Sequence, residues 1–176
     1  MKWLKRLLLG VVVLIVTFVA IGLLLPSGFR VERSVMIAAP AEKVYGLISA
    51  PAQWKQWTVW NQRDPNMQIS YSGPAQGQGA RWAWQSASEG QGEMEFTAAV
   101  PNESLTYRLA FPEFGMQSTG KMMLKPQDQG VLVSWSNEGD MGNNPMNRWF
   151  GLFMDKFVGP DFEAGLANLK RVAEQR

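Results

Sequence analysis

The chain has 176 residues, seventeen Lys and Arg against fifteen Asp and Glu, and neither histidine nor cysteine, so Ser–His–Asp and Cys–His catalysis, disulfides and His-ligated metals are excluded. Three of the seventeen basic residues, Lys2, Lys5 and Arg6, precede a long apolar run and no acid lies before residue 32, so residues 29–176 carry fourteen bases against fifteen acids, about −1 in all. That balance argues against a nucleic-acid surface, and about 148 residues make one ordinary domain.

Leu7 to Leu25 is a stretch of nineteen residues with no charge and only Thr17 as a hydrogen-bonding side chain. As a helix it is roughly 28 Å long, close to the hydrocarbon thickness of a bilayer, so residues 1–28 read as one membrane anchor with a Pro26-Ser27-Gly28 linker. Lys2, Lys5 and Arg6 against Arg30 and Arg33 favour a cytoplasmic N-terminus. The following domain is then extracytoplasmic, periplasmic if the cell is Gram-negative. The rival reading is a cleaved signal peptide using Ala20 and Gly22, which would leave Leu23, Leu24 and Leu25 at the new terminus and is disfavoured for that reason.

Val31, Val35 and Ile37 predict a strand, and Pro40 opens a short helix carrying Val44, Leu47 and Ile48. Pro51 stops it, and a second short helical piece carries Trp54 and Trp57. Six strands follow, over residues 67–72, 80–85, 92–100, 104–111, 116–125 and 131–138, divided by Gly- and Pro-containing turns, which predicts an antiparallel meander. In the third of them Met94, Phe96, Ala98 and Val100 are expected on one face and Glu93, Glu95 and Thr97 on the other. From Pro145 the apolar spacing becomes helical through Trp149, Phe150, Phe153, Met154, Phe157, Phe162, Leu166, Leu169 and Ala173, with Gly159-Pro160 expected to kink or break the run. The class is α+β, a long helix laid across a curved sheet.

Several apparent motifs have plainer readings. Gly77-x-Gly79 precedes a strand, so it is a hairpin turn and not a phosphate cradle. Glu93 and Glu95, about 7 Å apart on one strand face, read as a solvated face before a glycosidase pair. Asp140 to Asn144 lacks the alternate oxygen spacing of a calcium loop. Asp155, Lys156, Asp161 and Glu163 read as the solvated side of the last helix, with Phe157 and Phe162 on the other.

Gly73-Pro74, Gly77-x-Gly79-Ala80-x-Trp82-x-Trp84, Pro101-Asn102-Glu103, Val133-x-Trp135, and above all Phe153-Met154-Asp155-Lys156 running into Gly159-x-Asp161-Phe162-Glu163-x-Gly165-Leu166 resemble the polyketide cyclase/dehydrase-type branch of the SRPBCC superfamily. The resemblance covers most of residues 30–175. It implies the START-like helix-grip fold, a curved seven-stranded antiparallel sheet wrapped around a long C-terminal helix with an apolar cavity between them, here preceded by one transmembrane helix. Members bind lipids, sterols, hormones or polyketides, and no catalytic motif can be placed position by position.

Seven tryptophans lie outside the anchor, and rigid aromatic surface with an orienting N–H suits an apolar pocket as well as a core. The expected ligand-binding residues are Trp57, Trp60, Trp82, Trp84, Phe96, Tyr107, Trp135, Phe153, Met154 and Phe157. No catalytic residue, metal or cofactor is assigned; an enzyme would have to draw its acid or base from Tyr107, Arg108, Glu95 or Glu138. The expected partners are a hydrophobic small molecule or lipid and the membrane. The leading reading is therefore a membrane-anchored binding domain, ahead of a cyclase or dehydratase and of an envelope interaction module.

Overall fold

The computed structural model describes residues 2–175; Met1 and Arg176, the outer bounds of the expected anchor and domain, lie outside the described residues. The elements are α1 (Lys2–Leu24), β1 (Gly28–Ile37), α2 (Ala41–Ser49), a 3-10 helix (Pro51–Gln56), α3 (Val59–Arg63), β2 (Gln68–Ser72), β3 (Arg81–Ser86), β4 (Gly90–Val100), β5 (Ser104–Phe111), a 3-10 turn (Pro112–Phe114), β6 (Met116–Gln127), β7 (Gly130–Asp140) and α4 (Pro145–Glu174). The strands form one seven-stranded antiparallel sheet in the order β1-β7-β6-β5-β4-β3-β2, so a meander from β2 to β7 is closed by β1 on its last strand. With α4 across it, this is the helix-grip arrangement that the resemblance implies.

The concave face is built by alternation. On β7, Val131, Val133, Trp135 and Asn137 are buried while their neighbours are less so, and Met122 with Leu124 on β6 and Leu105 with Tyr107 on β5 continue the layer. The C-terminal half of α4 covers it with Phe162, Leu166, Leu169 and Ala173, each at most 2% exposed. Trp54 and Trp57 seal the same core from the 3-10 segment, their indole N–H groups donating to the Ile48 and Leu47 carbonyls at 2.7 and 3.3 Å. A buried indole without such an acceptor would be destabilising.

Three expectations are corrected. A bulge between Phe96 and Ala98 inserts one residue into β4, so the face reverses: Ala99, not Ala98, packs on the core, and Val100 is 45% exposed. Gly159-Pro160 does not break α4, which runs unbroken through Pro160. Arg33 of β1 braces the helix there: its guanidinium lies where a Gly159 side chain would be and bonds Asp155 at 2.7 and 3.0 Å and Glu163 at 2.6 Å, tying the turn before the pair to the turn after it. Of the acidic run on α4, Asp155, Lys156 and Glu163 are exposed as expected, while Asp161 is not: it is half-buried and bonds Arg63 and the Trp60 indole. Phe157 lies on the exposed side instead, 59% accessible.

Candidate functional site

Between the sheet and α4 lies a cavity of about 260 Å³. Small-molecule pockets run from about 300 to 1,000 Å³, so this one is compact. Trp82 and Trp84, two residues apart on β3 and hence on one face, line it together with Met94, Tyr107 and Leu109 from β4 and β5. Trp60, Thr58 and Asn61 close one side, and Met154, Val158, Asp161 and Phe162 of α4 close another. Phe29, Phe111 and Met116 complete the far end, where Trp84 meets Phe111 edge-on at 5.8 Å.

Of the residues expected to bind ligand, Trp60, Trp82, Trp84, Tyr107 and Met154 line this cavity. Trp57, Phe96 and Trp135 do not line it; each is at most 1% exposed and belongs to the packed layer behind it. Trp135 is sandwiched there, stacked on Phe162 at 3.9 Å and 7° and met edge-on by Trp57 and Trp60 at 5.3 and 5.9 Å. Phe153 and Phe157 are absent from it too, because helical geometry sets them on the side of α4 turned away from the sheet.

The cavity floor carries a polar pair. Tyr107, Gly120 and Asn137 lie side by side across β5, β6 and β7. Gly120 has no side chain because the Tyr107 ring occupies that space; any Cβ there would collide with the phenol. The Tyr107 hydroxyl accepts the Trp135 indole N–H at 2.8 Å. Burial pushes its pKa well above the ordinary phenol range, outweighing the smaller opposing effect of that bond, so the hydroxyl keeps its proton. Asn137, 6% exposed, has a side-chain oxygen with no hydrogen-bond partner among the described residues.

Three carboxylates are among the lining residues: Glu89, Asp161 and Asp140, the last accepting from Ser27 Oγ at 2.9 Å and the Gly142 N–H at 2.6 Å. Arg63 of α3 bonds Asp161 and approaches Glu89 at 3.5 Å, while the Trp60 N–H donates to the other Asp161 oxygen at 3.0 Å. The remaining strand-borne acid–base candidates are spent on the outer face: Glu95 pairs with Arg81 and Arg108 at 2.7 and 2.9 Å, and Glu138 with Arg30 at 2.6 Å. Among the described residues no three His, Cys, Asp or Glu side chains converge as a metal site requires.

Sequence reading missed Asn137, Arg63 and Asp161. Asn137 carried a usable signal, since the inward alternation Val131, Val133, Trp135 puts residue 137 on the buried face. Arg63 and Asp161 carried none, being 98 residues apart and joined only by the fold.

Residues 28–174 match the family model described as polyketide cyclase / dehydrase and lipid transport. No curated protein matches the sequence. Among solved structures, a protein from Mesorhizobium loti is similar with 20% identity and a TM-score of 0.58, over 81% of this chain and 97% of that one. A protein from Rhizobium leguminosarum gives 16% identity and a TM-score of 0.62 over 85% and 96%. The di-domain ARO/CYC BexL of the BE-7585A biosynthetic pathway gives 18% identity and a TM-score of 0.60, over 85% of this chain and 51% of that one. At these identities the likeness establishes a shared fold.

Proposed function

The chain belongs to the polyketide cyclase / dehydrase and lipid transport family, and from that premise we propose that it is a membrane-anchored binding domain whose cavity holds one hydrophobic small molecule, lipid-like or polycyclic. The observation that carries this reading is the cavity itself: apolar and aromatic walls, a polar pair on the floor, and three lining carboxylates, Glu89, Asp161 and Asp140, each already held by an ion pair or hydrogen bonds. Walls of this kind supply affinity through desolvation and are indifferent to detail. A protonated Tyr107 hydroxyl and an unpartnered Asn137 oxygen supply the detail, a donor and an acceptor matched to a ligand hydroxyl or carbonyl.

Holding fits the floor better than chemistry does. A cyclase or dehydratase needs a group that takes or gives a proton near neutrality. Tyr107 is held protonated far from that range; of the lining carboxylates, Asp161 and Glu89 are engaged by Arg63, and Asp140 accepts from the Gly142 N–H and Ser27, which hold it in its charged form. The anchor at residues 2–24 would keep such a carrier beside the bilayer from which hydrophobic cargo comes.

The test is a titration of the full chain in phosphatidylcholine nanodiscs with fatty acids, sterols and aromatic polyketides, read by tryptophan emission. Trp54, Trp60, Trp82 and Trp84 line the cavity, so a bound molecule should produce a saturable change. No saturable change with any class would overturn the reading.

A further inference from the structure

The exposed side of α4 is not explained by the cavity. Met146, Phe150, Phe153 and Phe157 recur at i, i+4, i+7 and i+11 and form one stripe, each between 46% and 59% exposed. Phe153 and Phe157 touch, with ring centroids 6.2 Å apart. A contiguous aromatic stripe of this kind marks a surface that something apolar covers.

What covers it is indicated by α1. Trp149, on the turn between Met146 and Phe153, stacks on Phe18 at 4.9 Å and 11°, and its N–H donates to the Phe18 carbonyl at 3.2 Å. Gly22 admits Pro145, for a side chain there would lie 2.8 Å from the Pro145 Cβ. Arg148, one residue before Trp149, donates to the Leu23 and Leu25 carbonyls at 2.6 and 3.1 Å, the open carbonyl end of α1. The guanidinium therefore marks the polar end of the apolar helix. Phe18 lies six residues before Leu24, so Trp149 is seated about 9 Å from that end. An amphipathic helix in a bilayer surface buries its apolar face by about 5–10 Å, with tryptophan at the same level.

We propose that the N-terminal half of α4 is an interfacial membrane helix, its stripe immersed in the lipid leaflet that receives the C-terminal end of α1. The inference rests on the reading of α1 as a membrane anchor. The stripe is continuous with the α1 surface, which is exposed and apolar along its length, so a single lipid environment covers both without a separate partner. Met154, beside Phe153 on the same turn, lines the cavity. The body of α4 thus stands between the leaflet and the cavity.

The absence of cysteine allows single labels without background. Full chains carrying Phe153→Cys, Phe157→Cys, Leu14→Cys or Gln129→Cys are spin-labelled and reconstituted in vesicles of phosphatidylcholine and phosphatidylglycerol, 3:1. Collision with oxygen, which concentrates in lipid, is compared with collision with a water-soluble nickel chelate. Labels at positions 153, 157 and 14 are expected to meet oxygen several-fold more than nickel, and the label on the exposed β6–β7 turn at 129 the reverse. Labels at 153 and 157 that behave like 129 while 14 stays in lipid would overturn the proposal and leave the anchor standing. An aqueous label at 14 would overturn the anchor reading, and the proposal with it. Labels at 153 and 157 shielded from both reagents, with spin–spin broadening, would mean that a second copy covers the stripe, which also overturns it.

Discussion

Asn137 sits where the inward alternation of β7 calls for an apolar residue, and its carboxamide oxygen is buried without a partner. A buried unsatisfied acceptor costs about 1–3 kcal/mol, so stability alone gives no reason for it. We predict that Asn137→Leu leaves the empty chain as stable or up to about 2 kcal/mol more stable in urea unfolding, and weakens ligand binding about tenfold in the tryptophan titration. Equal stability and equal affinity would remove its assigned role. Tyr107 gives a second prediction at this scale. Its folded-state pKa is raised, so its neutral form is stabilised below the unfolded phenol value near 10, and that contribution is lost as pH rises beyond it, because the unfolded chain alone gives up the proton. Stability should fall above about pH 10, and Tyr107→Phe should flatten that fall, as read by denaturant midpoints between pH 8 and 11. Gly120 is bound to the same ring: Gly120→Ala should cost about 1–3 kcal/mol by overpacking and shift the phenol away from Trp135.

At the scale of elements, α4 is held across its Gly159-Pro160 notch by one side chain from another element. Arg33 reaches Asp155 and Glu163 in a fork that lysine cannot reproduce. Arg33→Lys is expected to speed amide exchange in residues 156–164 several-fold while leaving exchange at Leu166–Ala173 unchanged. Asp155 titrates below its usual range because of the bond from Arg33, so this support is complete above about pH 4 and is lost as pH falls through the lowered value. Protection in the wild-type notch, taken relative to the intrinsic exchange rate at each pH, should therefore fall in acid, and in the Lys variant far less. The same segment shows what sequence could and could not convey. Strand and helix periodicity located every strand and the whole of α4, because burial on one face writes itself into neighbouring residues. The Gly-Pro pair pointed to a break, since the bracing Arg33 lies 126 residues away from Gly159 and no local pattern records it. The β4 bulge was illegible for a related reason: Ala98 and Ala99 fit either face, and only pairing with β5 decides between them.

For the whole molecule, aromatic composition alone pointed to a pocket but could not divide pocket from packing. Trp57, Phe96 and Trp135 form the layer behind the cavity, while Trp60, Trp82, Trp84, Tyr107 and Met154 face it, and alternation cannot tell the two sets apart, since Phe96 and Trp135 point to the same buried face of the sheet as Trp82 and Tyr107. Phe150, Phe153 and Phe157 of α4 were legible as part of a helix face but not as the face turned away from the sheet, on which Phe162 packs. Together these surfaces describe a domain with a compact apolar cavity on one side of a helix and an apolar stripe on the other, tied to a helix long and apolar enough to cross a membrane. The central claim is that the cavity is occupied by a hydrophobic molecule in its working state, and native mass spectrometry of the full chain released from nanodiscs, with lipid extraction of the same sample, tests it most directly. A stoichiometric hydrophobic adduct that is retained in wild type and lost in Asn137→Leu is the predicted result; a bare protein mass from every preparation would contradict it.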